Sequence, residues 1–461
     1  MKNICVAYGD GIGPEIMKSV IKVLNAAQVK LTYTIVDIGE KVYLSGISSG
    51  ITSEGWNAIF QNKVLLKGPM TTPLGGGYKS INVTLRKKLG LFANIRPVKS
   101  YEPYIDCNAK NMDIVIVREN EEDLYSGIEY QTTANSYVAV KLISEESSRR
   151  IIRYAFDYAM LNQRQTITCI TKNNIMKLSD GCFARVFDEI AQEYPTINHK
   201  HMIVDIGAAR IASKPSQFDV VVTLNLYGDI ISDIAAEAAG AVGIAGSGNI
   251  GSDYAMFEAV HGSAPDIARQ GKANPSGLLN AATMMLRHLD MQDKAQQIEE
   301  AWLQTIKSGI QTVDLDNRPG KFVTTSQFTD AIINNLDLRP KLLTSKTSSH
   351  ITSKIAKVHK THKVVGCDIY VRSANCQYFN NLVFKSMKLK FIGYKGLVIW
   401  PGEVRYDELD MLQFRFIKDN CSQQDILEIQ TEIIAAQFEI VMFSLLSEYD
   451  GADGFSKGQG E

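Results

Sequence analysis

Short runs of apolar, mostly β-branched residues recur through the first half of the chain, at Ile4–Ala7, Val64–Leu66, Ile114–Val117, Ile167–Ile170 and Val220–Val222. Longer stretches of helical periodicity separate them. A strand with one wet face alternates apolar and polar residues, whereas runs like these leave no polar face and are buried on both sides. The pattern predicts an α/β fold, its sheet covered by helices on both faces, continuing to about Leu338. The first helix follows GDGIGPE and should end near Ala27; LTYTIVDIG and HMIVDI read as further strands, and SSRRIIRYAFDYAM as a helix. The Ala/Gly-rich stretch Ile230–Ile250 is expected to be a tightly packed buried helix, because Asp233 and Glu237 interrupt it at helical spacing.

At 461 residues the chain has room for two large lobes or three modest domains. Its 45% apolar and 21% charged residues suit a soluble globular protein, and a net charge of −1 supplies no field to gather polyanions, so no nucleic-acid partner is expected. Seven cysteines without CxxC or CxH spacing argue against zinc and against a disulfide framework, and fit a reducing, cytoplasmic setting. The amino-terminal apolar run is too short for a signal-peptide core, and no stretch reaches membrane-spanning length. Residues 339–363, rich in Ser, Thr, Lys and His and free of acids, read as an exposed basic linker with no aromatics to stack bases. Beyond it, residues 364–461 suggest a βαβ-βαβ module, ferredoxin-like or ACT-like, with helices near Asn375–Lys385 and Gln424–Gln437. The Gly-rich end DGADGFSKGQGE reads as a tail or surface clasp.

The chemistry gathers in a few segments. KGPMTTPLGGGYKSINVTLRKKLGLFANIRP, from Lys67, puts Gly75, Gly76 and Gly77 ahead of Lys79, Ser80 and Asn82 at the start of a helix, followed by Arg86 and Arg96. Backbone amides, hydroxyls and planar guanidinium forks make this an anion-binding surface. RENEEDLYSGIE places Arg118 and Tyr125 at the carboxyl end of a strand, where open α/β sheets bind ligands. Lys172 and Asn174 follow TITCI in the same way. Asp229 and Asp233 are spaced i, i+4 on a helix opening after DVVVTLN, so both carboxylates can share one hard cation, magnesium or manganese. EAVHGSAPDIARQGKANP offers His261, small residues that admit a ligand backbone, and Asp266, whose carboxylate could accept ribose hydroxyls and repel a 2′-phosphate. The GxGxxG dinucleotide fingerprint is absent, and GDGIGPE by itself reads as a tight turn.

In this order, GDGIGPE, GPMTTPLGGGYKSINVTLRKKLGLFANIRP, RENEEDLYSGIE, KNNIMK, NLYGDIISD and HGSAPDIA resemble the isocitrate and isopropylmalate dehydrogenase family of β-decarboxylating oxidoreductases, over roughly residues 1–338. The terminal module resembles the extra domain of a bacterial subgroup of homodimeric isocitrate dehydrogenases. The resemblance implies a two-lobed fold: a large domain in residues 1–100 and 236–338, and a small dimerisation domain in residues 101–235. It implies that Thr71, Ser80, Asn82, Arg86, Arg96 and Arg118 hold substrate, and that three arginines and the serine and asparagine of the loop select isocitrate. Asp229 and Asp233 would share the divalent ion with Asp205 of a partner chain; Lys172, also the partner's, would be the base and Tyr125 the acid. Asn174, Glu258, His261, Gly262, Ala264, Asp266, Ile267 and Asn274 match the nucleotide positions. NADP-dependent relatives place Lys-Tyr where Asp266-Ile267 stand, and carry a tyrosine and an arginine where Val313 and Asn317 align, so NAD is the expected cofactor in a reaction of the tricarboxylic acid cycle. The terminal module is expected to serve dimerisation or packing. A related 2-hydroxy diacid as substrate and a non-catalytic regulatory subunit are the rival readings; the latter typically lacks catalytic residues that are all present here.

Overall fold

In the computed structural model the residues described are 1–72, 80–240, 242–316, 320–337, 360–372, 379, 382–401 and 409–459. The chain runs β1 (Lys2–Ala7), α1 (Gly13–Ala26), β2 (Leu31–Ile35), α2 (Glu40–Leu44), α3 (Ser53–Asn62), β3 (Val64–Lys67), α4 (Ile81–Lys88), β4 (Ala93–Lys99) and β5 (Asp113–Glu119). It continues through β6 (Glu129–Gln131), β7 (Tyr137–Ala139), α5 (Glu145–Leu161), β8 (Thr166–Thr171), α6 (Ser179–Ala191), β9 (Asn198–Ile203), α7 (Val204–Ser213), β10 (Val220–Thr223) and α8 (Asn225–Ala238). After β11 (Gly246–Ile250) and β12 (Ala255–Ala259) come α9 (Ser276–His288), α10 (Gln292–Lys307) and α11 (Thr325–Asn334). A ten-stranded sheet has the order β2-β1-β3-β12-β11-β4-β5-β10-β8-β9. Two parallel blocks, β2-β1-β3-β12 and β5-β10-β8-β9, are joined by the antiparallel pair β11-β4.

Helices cover both faces, as the unbroken apolar runs require. The first block packs Ile4, Leu66 and Phe257 against α1, α9, α10 and α11, and Cys5 and Leu65 against α3 and α4. The second packs Val115 and Val222 against α5 and α6, and Ile116 and Val221 against α7 and α8. Two expectations are corrected. HMIVDI is not all strand: β9 stops at Ile203, and Asp205 lies in the first turn of α7. Ile230–Ile250 is not one helix, because α8 ends at Ala238, Gly240 takes φ +104°, and Gly246–Ile250 forms a buried strand. Close packing explains the glycines there, since a Cβ on Gly246 would meet the Ala281 amide at 2.4 Å.

A second compact unit combines Ser126–Lys141 and Met176–Leu178 with the carboxyl-terminal residues. Here β13 (His362–Arg372), β14 (Lys388–Tyr394), β15 (Leu397–Trp400), β16 (Met411–Ile417), α12 (Gln423–Ala435), β17 (Ile440–Tyr449) and β18 (Ala452–Asp453) build a six-stranded antiparallel sheet, β15-β14-β16-β13-β17-β18. Its inner order, β14-β16-β13-β17, is that of a ferredoxin-like βαββαβ unit. β13 opens at His362, inside the stretch read as linker; most of that linker, and most of the helix expected at Asn375–Lys385, lie outside the described residues. The tail is a strap. Arg415, paired with buried Asp368, donates to the Ser456 carbonyl at 2.8 Å, and Gln459 bonds to Gly396 and Val398. Asp410 receives the Thr133 and Ser136 hydroxyls, fastening the β6-β7 hairpin to this unit. No described helix is long and apolar enough to cross a membrane.

Burial pushes the Glu119 carboxyl, at the end of β5, up to about 7, although the amides of Glu121 and Glu122 donate to it. A carboxyl whose folded pKa is raised gives most stability while protonated; that contribution is full below the ordinary carboxyl pKa and is lost as pH rises towards 7. Glu119→Gln is therefore expected to flatten the fall in urea midpoint between about pH 5 and about pH 8, and to stabilise the protein at the upper end by roughly 1–3 kcal/mol. An unchanged pH slope would refute this.

Candidate active site

Arg96 and Arg118 project from the antiparallel neighbours β4 and β5, and Arg86 from α4; all three are buried. Arg118 is gripped by Asn225, at the start of α8: Nε donates to the Asn225 carbonyl at 2.9 Å and Nη2 to Oδ1 at 2.8 Å. Gly228 leaves room for this, since a Cβ there would sit 2.5 Å from Arg118 Cγ. Arg96 donates to Asn94 Oδ1 and Ser232 Oγ, each at 2.7 Å. Arg86 Nη2 donates to Glu258 at 3.1 Å, and the other Glu258 oxygen lies 2.7 Å from Lys67, which is fully buried.

These cations converge on α8. Asp229 is 2.5 Å from Arg118 and 3.1 Å from Arg96, and Asp233, one turn on, is 3.4 Å from Arg96. The Tyr125 hydroxyl donates to Asp229, and its ring lies 4.9 Å from the Arg118 guanidinium. Burial, helped by Arg96 and Arg86, brings Arg118 down to about 9. Burial opposes ionisation of Asp229 too, but Arg118 and Arg96 outweigh it and hold the carboxyl below its usual value. Asp233 moves the other way, through burial against the attraction of Arg96, with Asp229 adding repulsion. Burial raises Tyr125 and the bond to Asp229 adds to this, so its hydroxyl stays protonated.

Two buried atoms in this cluster, Asn82 Oδ1 and Arg86 Nε, have no hydrogen-bond partner among the described residues. Buried polar atoms are rarely left so unless a ligand or water completes them. Ser80 stands at the N-cap of α4 without a capping side-chain bond. Gly75, Gly76, Gly77 and Lys79 lie outside the described residues.

Lys172 and Asp205 form a separate group. They follow the neighbouring strands β8 and β9 and are ion-paired to each other; among the described residues no ion pair joins Lys172 to Asp229 or Asp233. Among the described residues no three acids, histidines or cysteines converge as a metal site within one chain. Asn174 is exposed in the turn after Lys172. Beside α7 and α8, Ile206 and Ile230 are exposed, as are Tyr130 and Tyr137 on the hairpin.

The nucleotide candidates divide. His261 Nε2 is buried without a partner among the described residues, burial lowers this imidazole, and Gly262 faces open space. Ala264 adopts φ +36°, and Asp266 and Ile267 follow on a surface turn where Asp266 is exposed and makes no ion pair with a described residue. Asn274 lies just before α9: Oδ1 accepts from the Ser276 amide at 2.9 Å and Nδ2 donates to Asp314 at 2.8 Å. Glu258, grouped with this loop by sequence, stands with Arg86 and Lys67. Thr71 binds Asp10 and Ser263, linking the anion loop to the nucleotide loop rather than joining the arginines. GDGIGPE packs here too, since a Cβ on Gly11 would fall 1.9 Å from the Ser263 carbonyl. Lys67, Asn225 and Asn94 were missed by sequence reading; a lysine ending the apolar strand VLLK was the one available signal.

A doubly covered α/β sheet without the dinucleotide fingerprint, with buried arginines on β4, β5 and α4 facing an acid pair on α8, defines an enzyme class that handles small anionic substrates. Residues 3–332 match the isocitrate/isopropylmalate dehydrogenase family, and the chain belongs to it. Residues 362–461 match the bacterial isocitrate dehydrogenase C-terminal domain. The chain is 49% identical to isocitrate dehydrogenase (NADP) of Rickettsia bellii, with 99% of each covered. It is 43% identical over 334 residues to isocitrate dehydrogenase (NAD) subunit 2, mitochondrial, of Saccharomyces cerevisiae, covering 71% of this chain and 88% of that one. A crystal structure of a Thermus thermophilus protein, 38% identical, matches with a TM-score of 0.93 over 100% of this chain and 96% of that one.

Proposed function

We propose that this chain oxidises and decarboxylates isocitrate to 2-oxoglutarate and carbon dioxide with NAD, as one half of a homodimer in which each copy completes the other's site. The observation that carries this is the arginine cluster, with Asn82 Oδ1 and Arg86 Nε left without a partner among the described residues. Arg86, Arg96, Arg118 and Lys67 face Asp229, Asp233 and Glu258, leaving one positive charge in excess. A divalent ion would raise that excess and suit the site to a polycarboxylate. Asp229 and Asp233 suit such an ion, as hard oxygen donors on one face of α8, and Asp205 of a second copy would complete the set. When bound, the metal supplies electrophilic polarisation of the substrate oxygen; NAD supplies the hydride acceptor.

The chain's own residues then have distinct tasks. Arg86, Arg96 and Arg118 hold the carboxylates with Asn82 and Ser80, so the reacting carbon is fixed before chemistry begins. Lys172 of the second copy takes the hydroxyl proton. Tyr125, kept protonated, returns a proton to carbon after carbon dioxide leaves. The separation of Lys172 and Asp205 from the Asp229 group supports completion by a second chain, as do exposed Ile206 and Ile230 next to the metal acids. The terminal module would support the hairpin through Asp410.

Asp266 supports NAD, being an exposed carboxylate free to accept ribose hydroxyls. NADP is the second reading, favoured by the name of the Rickettsia bellii relative. Initial rates with isocitrate and manganese decide between them. NAD is expected to exceed NADP in kcat/KM by about ten- to hundredfold, and Asp266→Lys with Ile267→Tyr to narrow or reverse that ratio. An NADP preference in the unaltered protein would overturn the cofactor assignment and leave the reaction; no turnover with either would overturn the reaction.

A further inference from the structure

Beside the arginine cluster lies a cavity of about 770 Å³ bounded by α5, the end of α8, α9, α10 and the strands β4, β11 and β12. Successive side chains of a strand project to opposite faces. On β12, Glu258 meets Arg86 while Phe257 lines the cavity; on β11, Asn249 donates to Glu258 at 3.0 Å while Ile250 lines the cavity; on β4, Arg96 joins the cluster while Ile95 lines the cavity. The anion site and the cavity therefore share the same three stretches of backbone.

The lining mixes aromatic and apolar residues with a polar rim, and Tyr101 is set edge-on to Trp302 at 5.0 Å. Its lysine and arginines are already paired: Lys99 with Asp113 at 3.5 Å, Arg164 with Asp113 and Asp219 at 2.7 and 2.9 Å, and Arg287 with Glu299. The hydroxyls of Tyr101, Tyr154 and Tyr158, by contrast, make no hydrogen bond with a described residue, and burial raises all three phenols so that they remain donors. An anionic ligand would find no uncommitted lysine or arginine here, whereas a neutral acceptor oxygen would find donors.

We propose that this cavity is a second ligand site, for an uncharged molecule with an aromatic body and a carbonyl or ether oxygen, and that its occupancy is felt at the anion site through β4 and β12. The volume falls within the range of small-molecule pockets, roughly 300–1,000 Å³. Only the coupling rests on the arginine cluster being the substrate site; binding does not.

The test is titration of the full-length protein with Prodan, an uncharged naphthalene ketone, followed by its emission. Saturable, blue-shifted binding at one site per chain is expected. Leu161→Trp combined with Leu303→Trp narrows the cavity from α5 and α10, outside the catalytic groups, and should weaken binding at least about tenfold. Tyr158→Phe keeps the packing and serves if the double variant does not fold; it should weaken binding roughly two- to tenfold. Saturating Prodan should shift the KM for isocitrate in the unaltered enzyme and leave it unchanged in the double variant. Absence of saturable binding, or equal binding by the narrowed and Tyr158→Phe variants, would overturn the site. An unshifted KM with the site filled would overturn the coupling, and the fluorescence reading separates this from any failure of the isocitrate assignment.

Discussion

Lys172→Met is expected to lower kcat with isocitrate by about 10³-fold or more while changing KM only a few fold, because in the proposed reaction it removes the proton acceptor without touching the arginines. In the structure Lys172 is bound to Asp205, away from the Tyr125–Asp229 group of its own chain. Tyr125→Phe should be similarly impaired. Coexpression of the two variants then separates one-chain from two-chain catalysis. In a mixed dimer one site receives intact Tyr125 from one copy and intact Lys172 from the other, while the second site lacks both. With random pairing, half the dimers are mixed and half their sites intact, so activity should return to about a quarter of the unaltered level. If the mixture stays as inactive as its components, the shared site is wrong.

Asp229→Asn is expected to reduce kcat/KM by about 10³-fold or more and also to lower stability. Asp229 is the meeting point of Arg118, Arg96 and the Tyr125 hydroxyl, and Arg118 is only 1% exposed. Neutralising it leaves two buried guanidinium groups with one fewer counter-charge; because Asp229 itself is 32% exposed, the cost is put at roughly 1–3 kcal/mol rather than that of a dry ion pair. Asp233, 63% exposed, provides the control. Asp233→Asn should lose comparable activity with little change in thermal midpoint. Equal destabilisation by both would show that Asp229 carries no special share of the arginine charge, and near-normal turnover in either would remove the acid pair from catalysis.

Much of this site could be read from residues close in the chain. GDGIGPE, NLYGDIISD and HGSAPDIA carry their chemistry in short windows; the i, i+4 spacing of Asp229 and Asp233 depends only on helix geometry, and the apolar runs specify strands covered on both faces. HMIVDI failed because β9 and α7 abut without a break, so one apolar run spans two elements. Ile230–Ile250 failed because glycine signals a helix end and close strand packing alike, and only the neighbours tell them apart.

Other properties arose from residues far apart in the chain. Arg86 meets Glu258 across 172 positions and Arg118 meets Asn225 across 107, and no local pattern records such pairs. Short-range spacing thus pointed to groups with the chemistry to bind an anion, a metal or a nucleotide. The packing of ten strands settled which groups share a charge, which stand apart, and that a cavity lies beside them. Ion pairing and desolvation depend on distance in space, and a chain acquires those distances only when its sheet closes.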